Sequence, residues 1–263
     1  MSKPIVINKD FYQLMGIVEP TYSVLKTKRR DLEATLREIN HYKSIFGTVR
    51  RFFGKIQEGR VLNTLTVLPR IAGAIADNLQ EKVQQLYELK GEQFDYLGDV
   101  NGKIRVILEA MGKQGTGQEG DYAGLVQKIK SKEEHESCDA YSELLERFNN
   151  WSESRMNSQL NQEALAEYRI FREEALYNLL GCNYVHKNVK LIAEAVQRSV
   201  DHLRYTLNMN KGIIIVGRDL LSARKGLIEV AEKGNKVYDT VKESYSRLEE
   251  VMKELRNPRR LLG

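Results

Sequence analysis

Residues 70–257 contain no proline, although the 263-residue chain has four: Pro4, Pro20, Pro69 and Pro258. Proline marks turns and strand edges, and a helix interior excludes it because it lacks an amide hydrogen and clashes with the preceding turn. A chain that goes so long without it has little room for sheets joined by tight turns. Long helices are the natural alternative.

The apolar spacing agrees. Leu32, Leu36, Ile39, Tyr42, Phe46, Val49, Phe53 and Ile56 recur in steps of three and four, as do Val185, Val189, Ile192, Val196 and, further on, Leu203. Near the C-terminus the same alternation runs through Tyr238, Val241, Tyr245, Leu248, Met252 and Leu255. Such stripes belong to helices packed side by side. The segment from Gly212 to Gly217 (Gly-Ile-Ile-Ile-Val-Gly) has no partner strand and reads as buried helix. The expected fold is all-α, an elongated bundle of long amphipathic helices with coiled-coil-like seams.

Helix boundaries follow from the breakers. One helix is expected from Pro20 to about Gln57, and a second after Gly59 with a kink at Pro69. Four glycines in residues 112–120 predict a loop, followed by a short helix from Asp121 to about Lys132. A further helix spans Cys138 to Leu180. Gly181 ends or bends it before another from Asn183 to Asn208, and a turn at Asn208 to Lys211 precedes the last helix. This divides the chain into an N-terminal helical region (1–111), a glycine loop (112–120) and a C-terminal helical region (121–263), within one continuous bundle.

A composition of 41% hydrophobic and 29% charged residues is that of a globular chain. No apolar run approaches the roughly 20 residues of a membrane-spanning helix. The N-terminus carries no signal-peptide pattern, so the expected location is the cytoplasm, with the membrane periphery as the alternative. Cys138 and Cys182 are the only cysteines and are expected to be reduced.

The net charge of +5 is unevenly spread. Residues 1–70 hold 13 Lys/Arg against 6 Asp/Glu, a net of +7. Residues 71–210 net −6 and residues 211–263 net +4. Basic ends and an acidic middle suit an anionic partner, or equally the docking of the ends on the middle.

Motifs for chemistry are thin. Gly115-Thr-Gly117-Gln-Glu-Gly120 spells a dinucleotide fingerprint, but it lacks parallel strands around it, and Glu119 and Asp121 would repel phosphate. It reads as a connector. Glu38 and His41 form half of a di-iron signature without its second copy. Cys182 and His186, one helical turn apart, are two ligands where a site needs more. Glu133-Glu-His-Glu136 reads as a solvated helix start. No nucleophile elbow is present. No catalytic, cofactor or metal residues are assigned, and no enzyme is expected.

Two surfaces are better candidates. Lys26, Lys28, Arg29 and Arg30, with Arg50, Arg51, Lys55 and Arg60, form basic clusters; Phe52, Phe53 and Ile56 stand among the second group. That mix suits an anionic membrane surface, or else core residues flanked by solvated cations. Nucleic acid is disfavoured, since no recognised binding motif accompanies the charge. The second surface is the seam Tyr238, Val241, Tyr245, Leu248, Met252 and Leu255, which offers a helix partner if it is not already buried.

The run from Tyr168 (Tyr-Arg-Ile-Phe-Arg-Glu-Glu-Ala-Leu-Tyr), followed by that from Lys187 (Lys-Asn-Val-Lys-Leu-Ile-Ala-Glu-Ala-Val), resembles the toxic anion resistance (TelA-like) proteins. Phe52-Phe-Gly-Lys-Ile-Gln and Asp77-Asn78 with Glu81, Lys82 and Leu86 echo them in the N-terminal half, while Val189 stands where the family pattern has a second Asn. The resemblance implies a long-helix cytoplasmic protein linked to tellurite and envelope-stress tolerance, without established catalytic residues. The function expected is that of a helical scaffold or interaction protein that binds a protein partner or self-associates through its helices. The alternatives are a peripheral binder of anionic membranes and an enzyme or metal protein of undefined reaction.

Overall fold

A computed structural model describes residues 9–45, 55–110, 159–216 and 220–256. All of these residues except Arg256 lie in four helices: α1 (Lys9–Ile45), α2 (Lys55–Ala110), α3 (Gln159–Val216) and α4 (Leu220–Leu255). The fold is all-α, as the spacing predicts. The glycine loop at 112–120, the short helix from Asp121, Cys138, and Arg50 with Arg51 lie outside the described residues.

Three expected helix ends, at Pro20, Gly181 and Asn208–Lys211, are absent. Pro20 lies inside α1, and Pro69, where a kink is expected, lies inside α2. Gly181 and the expected turn at Asn208–Lys211 both lie within the continuous α3. The reason is tertiary. The buried row Leu14, Val18, Thr21, Leu25 passes Pro20 without losing step, and Leu179, Cys182, Val185 and Val189 pass Gly181 likewise. Leu207, Asn210 and Ile214 carry the buried row through the expected turn. Each interruption would expose such a row, which costs more than one proline or glycine in the helix. Pro20 is exposed and Pro69 half-buried, so water can reach carbonyls that lose an amide partner there.

The chain forms two compact units, neither a continuous stretch of sequence. One comprises Met1–Gly16, Gln85–Lys187 and Lys253–Gly263; the other comprises Ile17–Gln84 and Asn188–Met252. We refer to them as the polar-core unit and the four-helix unit.

The four-helix unit takes a segment from every helix. Its chain directions can be read from pairs of contacts. Tyr22 meets Tyr245, and Leu36 lies beside Gly234, so α1 and α4 are antiparallel. Ser199 meets Thr240 at 3.1 Å and Asn210 meets Glu229 at 3.1 Å, so α3 and α4 are antiparallel too. Thr64 donates to Glu38 Oε2 at 3.0 Å between α2 and α1. Arg204 of α3 lies against Gly73 of α2. Each helix thus touches at least two of the others, and α4 meets all three.

Two glycines set how closely these helices approach. A Cβ on Gly234 would stand 2.7 Å from Leu36 Cδ2 and 2.8 Å from Leu68 Cδ2, so α4 presses against both α1 and α2 there. A Cβ on Gly226 would stand 2.9 Å from Asn210 Oδ1, so the α3 amide reaches α4 only because that position is bare.

The polar-core unit differs in character. Leu86, Leu89, Phe94, Leu97, Val100 and Ile104 of α2 are buried in the ordinary way. The buried face of α3 instead mixes Ala175, Leu179, Cys182 and Val185 with Arg172, Asn178, Asn183 and His186. All four of these make polar or ring contacts. One is visible in the rings of His186 and Tyr87, 6.2 Å apart and tilted by 51°.

Candidate functional site

The basic cluster on α1 is partly spent on internal contacts. Lys28 Nζ lies 3.7 Å from Asp31, and the Arg29 guanidinium lies 4.8 Å above the Tyr245 ring, while Lys26 and Arg30 are exposed. Arg60 is exposed on α2, and Lys55 opens that helix.

The C-terminal seam lies against the protein. Val241, Leu248 and Leu255 are buried, and Tyr238, Tyr245 and Met252 are half-buried beside them. The fully buried row of α4 runs Val230, Val237, Val241, Ser244, Leu248, Val251, one side of the expected seam. Tyr245 stacks on Tyr22 with centroids 4.4 Å apart and planes 23° apart, and the two hydroxyls hydrogen-bond to each other. That hydrogen bond, reinforced by lost hydration and by the nearby Glu249, pushes the Tyr22 phenol up to about 12; Arg29 pulls the other way.

The residues with metal-ligand spacing have other work. Glu38 accepts from Thr64, and His41 is exposed beside the Tyr42 ring. Cys182 is buried and takes no part in a disulfide. Among the described residues no three His, Cys, Asp or Glu side chains form a group able to hold a metal ion, and no helix is long and apolar enough to cross a membrane.

What stands out was not visible in the sequence. Within the four-helix unit, α3 carries large apolar side chains outward: Leu191 (39% exposed), Tyr205 (67%), Met209 (62%) and Ile213 (43%). They share one face with Glu194, Arg198, His202 and Gly212, all exposed. At 100° per residue, positions 191, 194, 198, 202, 205, 209 and 212 fall within a strip roughly 80° wide. The opposite face holds Val189, Val196, Leu203 and Leu207 in the core. The helix is therefore apolar on two faces. Ile213, expected in a buried segment, lies at the edge of the outer one. The periodic signal could not separate the faces, since it reports where apolar residues recur and not which recurrence the neighbouring helices cover.

No protein-family model, curated protein or solved structure matches this chain. Function therefore rests on the surfaces themselves. Elsewhere in the four-helix unit the exposed positions are polar or small: Lys26, Arg30 and Arg37 on α1, Arg70, Asp77 and Glu81 on α2, Lys233, Asp239 and Glu243 on α4. Those faces are solvated, and the outer face of α3 is the exception.

Proposed function

We propose that the chain is a non-enzymatic helical scaffold whose working surface is the outer face of α3, presented to a protein partner. One observation carries this reading. Among the described residues, all eight exposed large hydrophobics lie on α2 and α3, and none on α1 or α4. Scattered apolar residues on a surface mean little, but a line of them along one helix is what a partner helix packs against. The resemblance of the stretches from Tyr168 and Lys187 to toxic anion resistance proteins supports a cytoplasmic setting and a role in envelope or anion stress.

The test is a photo-crosslinking residue at position 205, compared with one at 243 on α4. A defined polypeptide trapped at 205 and identified by mass spectrometry, with little trapped at 243, is the expected result. Equal trapping at both positions, or none at either, overturns the reading. Flotation with anionic vesicles at low salt separates it from membrane binding: association with anionic but not neutral lipid would move the function to the basic clusters instead.

A further inference from the structure

Two tyrosines 223 positions apart in the chain meet at the α1–α4 contact of the four-helix unit. The rings of Tyr22 and Tyr245 are stacked with centroids 4.4 Å apart and planes 23° apart, and their hydroxyls are hydrogen-bonded to each other. A stack with its hydroxyls at opposite ends could not make that bond, so both phenols point the same way. The Cε carbons, ortho to each hydroxyl, lie between ring centre and oxygen. A Cε of one ring therefore stands roughly 4 Å from a Cε of the other, at van der Waals contact. The Arg29 guanidinium, 4.8 Å from the Tyr245 centroid, helps to hold that ring in place. Both tyrosines are half-buried, open to small solutes yet held against each other.

These are the atoms that carry the unpaired electron when a phenol is oxidised. We propose that Tyr22 and Tyr245 form an oxidative crosslinking site, where a one-electron oxidant generated from hydrogen peroxide by a haem joins α1 to α4 through a Cε–Cε bond. Each phenol gives one electron to the oxidant and its hydroxyl proton to water, leaving two phenoxyl radicals. Their odd electrons pair as the new carbon–carbon bond. The hydrogen on each bonded Cε then leaves as a proton, and each ring oxygen takes one up, which restores two phenols. The chain has lost two electrons and two protons, and one hydrogen peroxide accepts them to become two waters. The bond closes a loop across those 223 positions and ties the two ends of the four-helix unit together. A crosslink of that span restricts the unfolded chain far more than the folded one. This inference is independent of the interaction reading above.

Exposure and contact favour different tyrosines, and that makes the test sharp. Tyr205 is 67% exposed and Tyr87, beside His186, is 61% exposed, so an oxidant selecting by access alone couples those. The full chain at low concentration is treated with a small haem peptide and hydrogen peroxide. Dityrosine fluorescence is expected in a product that keeps the 30.3 kDa mass of a single chain. Proteolysis should release peptides joined at Tyr22 and Tyr245, two hydrogens lighter than their sum. Their yield should be at least about tenfold higher in the folded chain than in urea, because the folded stack removes the diffusional search. The crosslinked protein should also unfold at a higher urea midpoint than the untreated one. Tyr22→Phe and Tyr245→Phe each keep a ring in the stack and should abolish the joined peptides, whereas Tyr87→Phe and Tyr205→Phe should leave them. Coupling confined to Tyr87 or Tyr205, crosslinks only between chains, no crosslink at all, or an equal Tyr22–Tyr245 yield in urea overturns the proposal; the comparison in urea needs no variant.

Discussion

The side-chain amide of Asn210 joins α3 to α4: its Nδ2 donates to Glu229 Oε2 at 3.1 Å and also to the Thr206 carbonyl at 3.0 Å. Asn210 is buried, and Gly226 leaves the space that its oxygen occupies. Replacing it with Ala leaves half-buried Glu229 without this donor. Asn210→Ala is expected to lower stability by about 1–3 kcal/mol, read by urea denaturation followed by circular dichroism. Glu229→Gln keeps an acceptor in place and should cost less.

Gly234 makes a second prediction, because the space a side chain would need is held by Leu36 and Leu68, both in the core. Gly234→Val is expected to destabilise by about 1–3 kcal/mol through overpacking. Combining it with Leu36→Ala should cost less than the two changes summed, since the cavity of one accepts the methyl groups of the other. Strict additivity in a double-mutant cycle would contradict the contact.

How far the sequence could be read depends on whether a feature is local. The buried row Leu32, Leu36, Ile39 and the row from Val185 to Leu203 are where the spacing places them, because a 3.6-residue period is a property of the segment itself. Breaks at Pro20, Gly181 and Asn208 were expected on local propensity, and packing overrides propensity in all three places. The α4 seam was found with its buried edge displaced by one residue, Val237 standing where Tyr238 was expected. The outer face of α3 was missed because nothing in the composition of Tyr205, Met209 and Ile213 distinguishes them from core residues; only their exposure does.

Tyr22 supplies a pH dependence. Its pKa in the folded protein is pushed up to about 12, above the ordinary 10 of an unfolded chain. The folded state therefore holds this proton more tightly, and the stabilisation is fully present below pH ~10. It is lost as pH rises from about 10 through about 12. Tyr22→Phe should remove that alkaline loss, and the tyrosinate absorbance difference between the two proteins should show a late-titrating phenol. A wild-type curve matching that of Tyr22→Phe would exclude the shift.

Neighbouring residues on α3 should respond oppositely to the same change. Met209 is exposed and Leu207 is buried. Met209→Glu is expected to alter monomer stability by no more than about 0.5 kcal/mol, whereas Leu207→Glu buries an unpaired carboxylate and should unfold the four-helix unit. Thermal melts at low protein concentration distinguish them.

The four-helix unit is drawn from Ile17–Gln84 and Asn188–Met252, with 103 residues of chain between. During synthesis its first two helical segments leave the ribosome long before their partners exist. At about 5–20 residues per second the wait is roughly 5–20 s. Throughout it the rows Leu32–Ile39 and Leu65–Ile75 have only each other to cover them. The α1–α2 pair must therefore survive as a half-bundle, or be held by a chaperone, and a nascent chain stalled before residue 188 offers a sticky groove where the finished protein has a core. Delayed completion is a standing hazard for a chain whose ends assemble the same unit.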